Sequence, residues 1–119
     1  MNHEDLEQIS VFAWAEAVKC QYPMLRLMYH VPNERKCSQA QGALLKRKGV
    51  KSGVPDIILD YPCHGYHGLR IELKYGRNKP SENQLRWLGM LDEQGYKTAV
   101  CYGAKEAINE IVKYLEGEQ

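Results

Sequence analysis

A mixed α/β layer structure, with helices packed over a small central sheet in the order α, β, α, β, β, α, β, α, is the fold class this sequence predicts. Three observations point to it. Segments with helical apolar spacing alternate with apolar or alternating runs too short to be helices. Two Ser-x-x-Gln signatures mark helix starts in the middle of the chain. The 119 residues suit one hydrophobic core, so residues 1–119 are expected to form a single domain.

The first helix is predicted from about Glu4 to Cys20, with Leu6, Ile9, Ala13, Ala17 and Cys20 at helical spacing, and Pro23 closes it. Leu25, Leu27, Tyr29 and Val31 alternate with Arg26, Met28 and His30, the period of a half-buried strand that ends at Pro32 and Asn33. Ser38 with Gln41 forms a capping box, and Ala40, Leu44 and Leu45 supply an apolar side to a helix running to about Arg47. Ile57, Ile58 and Leu59 read as a buried strand with Asp56 at its entrance. The Gly-, Pro- and His-containing stretch Pro62 to Gly68 then separates it from a second strand, Leu69 to Lys74, as a hairpin with a seven-residue loop. Ser81 with Gln84 caps a third helix, which Gly95 ends in the left-handed conformation. A strand over Tyr96 to Tyr102 follows, and Ala104, Ala107, Ile108, Ile111, Val112 and Leu115 define a last amphipathic helix.

Composition narrows the possibilities. With 44% hydrophobic and 26% charged residues and no apolar run of about 18, the chain carries no sequence signal of a membrane span. The acidic start, Met1 to Glu7, does not read as a secretory signal, so a cytoplasmic location is expected. Cys20, Cys37, Cys63 and Cys101 are irregularly spaced and lack a C-x-x-C pair, which predicts reduced thiols. The net charge of +1 hides an asymmetry: Arg35, Lys36, Lys46, Arg47, Lys48 and Lys51 lie in one stretch free of acids. Such a stretch is either a solvated face or a phosphate contact.

Alternation along Leu69–Lys74 puts Arg70, Glu72 and Lys74 on one face, so the Glu72 carboxylate and the Lys74 ammonium border one small site. An antiparallel hairpin brings Asp56 to the same place. Two carboxylates suit a hard divalent cation such as Mg²⁺, and a neighbouring lysine suits phosphodiester hydrolysis, because it can orient water or offset charge on the phosphate. A solvated strand face with Asp56 capping a turn is the competing reading. Gln84 has its own structural explanation in the capping box, and the Cys63, His64 and His67 cluster lacks the second ligand pair of a zinc site.

The joint pattern Gly53, Val54, Pro55, Asp56, then an apolar strand, then Ile71, Glu72, Leu73, Lys74 resembles the PD-(D/E)XK nuclease superfamily, specifically its virus-type replication-repair nuclease (VRR-NUC) family. Glu4 and Gln8, the segment His30 to Asn33, Ser81 with Gln84, and Gly95 with Tyr96 extend the resemblance over almost the whole chain. It implies a restriction-endonuclease-like core and a Mg²⁺- or Mn²⁺-dependent DNA endonuclease of replication, repair or recombination, in a bacterial or phage-infected cell. It also implies a stand-alone homodimer similar to Holliday-junction resolvases, acting on branched DNA such as a four-way junction. By position, the resemblance makes Asp56 and Glu72 metal ligands, adds the Leu73 carbonyl, and makes Lys74 the catalytic lysine. Glu4 is the expected glutamate of the opening helix, a further catalytic residue and metal ligand, with Glu7 as the alternative, and Gln84 is a further catalytic residue. Lys46, Arg47, Lys48 and Lys51 are expected to hold DNA phosphates, with His30 and Asn33 as secondary contacts. A nickase or restriction-like nuclease on duplex DNA, or a non-catalytic DNA-binding module, are the competing functions.

Overall fold

The computed structural model describes residues 1–32 and 37–117. Helix α1 (His3–Ala17) leads through a 3₁₀ turn (Pro23–Leu27) into strand β1 (Met28–His30). Then come α2 (Gln39–Arg47), β2 (Ile57–Leu59), β3 (Leu69–Lys74), α3 (Glu82–Glu93), β4 (Lys97–Tyr102) and α4 (Gly103–Glu116). The strands form one four-stranded sheet in the order β1-β2-β3-β4. The first three run antiparallel to their neighbours and β4 runs parallel to β3. A parallel return needs a crossover, which α3 supplies.

One face of β3 enters the main core. Leu69, Ile71 and Leu73 are buried there with Val11 and Ala15 of α1 and Ala104, Ala107, Ile111 and Tyr114 of α4. The Tyr114 hydroxyl donates to the Tyr61 carbonyl at 2.7 Å, so this large ring is buried with its polar tip satisfied. The opposite face of β3 carries Arg70, Glu72 and Lys74. At its near end the Arg70 guanidinium lies 4.4 Å from the centre of the Tyr96 ring and 3.3 Å from Asp60 Oδ1.

Both predicted capping boxes are present, at Ser38/Gln41 and Ser81/Gln84. α3 ends in a Schellman motif: Gly95 has φ +94°, its N–H donates to the Asp92 carbonyl, and the Tyr96 N–H donates to the Leu91 carbonyl. A β-carbon on Gly95 would lie 2.7 Å from His67 Cδ2. Gly95→Ala is therefore expected to destabilise the protein by at least about 1 kcal/mol. Denaturant unfolding of the purified variant checks this, and an unchanged midpoint would contradict it.

Several expectations are corrected. Only Met28–His30 of the predicted strand Leu25–Val31 is extended, because Pro23 starts a 3₁₀ turn and three-residue β2 pairs only with residues 28–30. The strand also has the opposite phase: Met28 is buried and Tyr29 exposed, the inversion that a one-residue shift produces. In α1 the buried positions are Val11 and Ala15, while Leu6, Ile9, Ala13 and Ala17 face solvent. The apolar side of α2 is not buried either; Leu44 is 54% exposed. Residues 60–68 separate β2 from β3, with a bridge between Cys63 and Tyr66 inside them. All four cysteines are free thiols, and burial followed by the charges of Glu110 and Glu106 pushes the Cys101 thiol up to about 12.

Candidate active site

The turn that delivers Asp56 is held from outside the sheet. Gly53 takes φ +87°, a conformation that favours glycine, and Pro55 beyond it is fully buried. The Asn83 side-chain amide donates to both the carbonyl and the hydroxyl of Ser52 at 2.8 Å, which fastens the turn to the first turn of α3. A β-carbon on Gly53 would fall 2.7 Å from that same amide nitrogen.

Asp56 is then fixed from two sides. Its carbonyl accepts from the Val31 N–H at 2.8 Å and lies 3.0 Å from His30 Nδ1, which donates when protonated. Its carboxylate Oδ2 accepts from the Leu73 N–H at 2.8 Å. Because Ile57 pairs with Ile71 in the antiparallel register, the position before it, Asp56, stands across from Glu72. The hairpin thus brings Asp56 to the end of β3 as the sequence predicts.

Glu72 is 1% exposed and Lys74 8% exposed, and Lys74 Nζ lies 3.7 Å from Glu72 Oε2. Asp56 is also 8% exposed. Two carboxylates and one ammonium thus occupy a largely buried site, where charges interact more strongly than in water.

The remaining predicted residues fall around this centre to different degrees. His3 stacks on Tyr75, the residue after Lys74, with ring centres 4.8 Å apart and planes 11° from parallel. That contact sets the first turn of α1, which contains half-buried Glu4, beside the end of β3. Glu7 is engaged elsewhere: its Oε1 accepts from the Ala104 N–H at 2.7 Å, at the start of α4 where no side chain of the N-cap residue does so. Gln84 is 9% exposed and its side chain accepts from the Ser81 N–H at 2.9 Å, so its capping role is present in the fold. Among the described residues no three His, Cys, Asp or Glu side chains gather closely enough to hold a metal ion, so Glu4, Asp56 and Glu72 do not form a three-acid cage.

Lys46 and Arg47 end α2, Lys48 is its C-cap, and Lys51 precedes the Ser52 clasp; all four are exposed. Among the described residues none of them is in an ion pair, so their charges face solvent in the stretch that leads to Asp56. Asn33 lies outside the described residues, as do Arg35 and Lys36. The Cys63–His67 loop lies at the opposite end of β3, roughly 16 Å along the strand from Lys74. Its thiol donates to the Tyr114 carbonyl at 3.3 Å and His64 Nε2 lies 3.0 Å from the Leu115 carbonyl, so the loop braces the end of α4.

Sequence reasoning passed over the loop after β3. Tyr75, Arg77 and Lys79 are all exposed there, directly beyond Lys74. An aromatic ring interleaved with cations was the available signal, in a stretch shorter than the basic run at 35–51.

The sheet is mixed, flanked by helices, and carries two acids and a lysine where its central strands meet, an α/β fold that the family match assigns to the nuclease type. The chain belongs to the VRR-NUC domain family, whose model matches residues 3–105. It is similar in structure to a solved VRR_NUC domain protein, at a TM-score of 0.83 and 32% identity, over 100% of this chain and 93% of the other. No curated protein matches the chain significantly.

Proposed function

We propose that this protein is a Mg²⁺- or Mn²⁺-dependent endonuclease that hydrolyses phosphodiester bonds in branched DNA, such as a four-way junction, during replication, repair or recombination. The observation that carries the reading is the joining of Asp56, Glu72 and Lys74 in one buried site, with Asp56 clamped onto the Leu73 N–H.

The donor set fits a hard divalent cation. Asp56 and Glu72 offer carboxylate oxygens, and the Leu73 carbonyl adds a neutral oxygen. Mg²⁺ binds through one or two carboxylates and keeps several waters, which needs no three-acid cage. When bound, such an ion lowers the pKa of a water and offsets the charge of the phosphate. Lys74 then orients the attacking water or donates to a phosphate oxygen, and Glu4 and Gln84 bind water and substrate at the rim. The exposed Lys46, Arg47, Lys48 and Lys51 hold the DNA backbone without reading its sequence, and His30 and Asn33 serve as secondary contacts.

A homodimer, which would present two such sites, and a cytoplasmic location complete the proposal. Exposed Leu6 and Ile9 give α1 an apolar face suited to self-association. No helix among the described residues is long and apolar enough to cross a membrane.

Two measurements test the reading. Purified protein with Mg²⁺ or Mn²⁺ is expected to cut junction DNA faster than matched linear duplex, single strands or flaps at a stated salt concentration. Preference for linear duplex would replace the junction reading by a nickase or restriction-like one, and no cutting of any DNA would leave a binding module. Separately, Mg²⁺ at about 100 times its dissociation constant should stabilise the fold by about 2.7 kcal/mol. Glu72→Gln is expected to lose most of that thermal shift; an equal shift in both proteins would place the cation elsewhere.

A further inference from the structure

We propose that the stacked rings of His3 and Tyr75, with Arg77 and Lys79 in the same loop, receive an unpaired nucleotide of the DNA next to the cleaved bond. The inference rests on the nuclease reading for the position of that bond, and it names the part of the surface that distinguishes branched from continuous DNA.

Three observations converge on this patch. The two rings are nearly parallel and 4.8 Å apart, yet both residues are exposed, Tyr75 by 38%. Each ring covers one face of the other, and the exposure of both residues leaves ring surface open to a further flat group. The stack also sits one residue beyond Lys74, at the mouth of the buried site, where Lys74 pairs with Tyr102 in the parallel register. Tyr102 is itself exposed, so the carboxyl ends of β3 and β4 carry a second aromatic ring. Finally, Arg77 and Lys79 are exposed and make no ion pair among the described residues, so two cations follow Tyr75 in the same short loop.

Holding α1 in place does not account for the patch. The hydrogen bond from Ala104 to Glu7 and the burial of Val11 and Ala15 already fix that helix. An aromatic surface bordered by cations binds nucleic acid by stacking bases and holding phosphates. In a continuous duplex both faces of each base are covered by neighbours. Only a base released at a branch, gap, flap or single strand can therefore extend the His3–Tyr75 stack. The patch favours substrates with such a base, whatever its identity, because every base has a π-face.

The test is equilibrium binding with Ca²⁺ in place of Mg²⁺, using DNA that carries 2-aminopurine at an unpaired position of a gapped duplex, and a fully paired duplex as reference. Wild type and Tyr75→Phe are expected to quench the 2-aminopurine emission. Tyr75→Ala should remove the quenching and weaken binding to gapped DNA by about tenfold, with less than about a twofold change on continuous duplex. Arg77→Ala should weaken both and reduce the salt dependence by about one phosphate contact. Equal losses for Tyr75→Ala on the two DNAs, or quenching that survives the substitution, would overturn the proposal. Melting temperatures of the variants identify any loss that comes from unfolding. Because binding is read without cleavage, an absence of nuclease activity would be seen separately and would not decide this result.

Discussion

Lys74→Met is expected to lower the rate of DNA cleavage by about two to three orders of magnitude, the usual cost of removing one preorganised charged donor from a reacting phosphate. The same loss is expected for Asp56→Asn, but the two variants should differ in stability from more drastic replacements. Asparagine keeps an oxygen for the Leu73 N–H, whereas Asp56→Ala leaves that buried donor without its 2.8 Å acceptor. Such an orphaned group costs about 1–3 kcal/mol. Single-turnover cleavage beside thermal unfolding separates the effects: Lys74→Met and Asp56→Asn should be inactive and folded, and Asp56→Ala inactive and less stable. Full activity in Lys74→Met would remove the proposed mechanism.

The second large effect belongs to the floor of the site. Ile71 is fully buried, pairs with Ile57 on β2 and Ala99 on β4, and immediately precedes Glu72. Ile71→Ala is expected to cost about 2–5 kcal/mol, since the cavity at the centre of the sheet has little freedom to collapse. For a domain of this size that is a fall in melting temperature of about ten degrees or more. Activity measured well below the transition should fall too, because the strand that aims Glu72 and Lys74 loses its support. A variant that melts with wild type would show that this part of the core repacks freely.

The parts of the molecule legible in the sequence are those whose causes lie close together along the chain. Each capping box is a four-residue signal, and both occur where expected. The meeting of Asp56 with Glu72 needs only one hairpin, whose register follows from Ile57 facing Ile71. Other features depend on distant partners. The rotation of α1 is fixed by a hydrogen bond between residues 97 positions apart, and its apolar residues nearly encircle the helix, so two different faces satisfied the same spacing. That bond also distinguishes Glu7 from Glu4, which no local pattern does. The phase of β1 follows from its pairing with β2, where Tyr29 meets Ile58 and leaves Met28 to the core. The Tyr75–Lys79 loop was obscured by the longer basic run upstream, although its ring and cations lie nearer to Lys74 in the chain.

The two ends of the Asp56 side chain's work, bracing β3 through the Leu73 amide and facing Glu72, have unequal fates under mutation. On the proposed mechanism, loss of either residue should silence chemistry, but only loss of the aspartate also takes the acceptor from the Leu73 amide. Descendants of this chain that gave up hydrolysis while staying folded should therefore have shed Lys74 first and kept Asp56 as a structural relic.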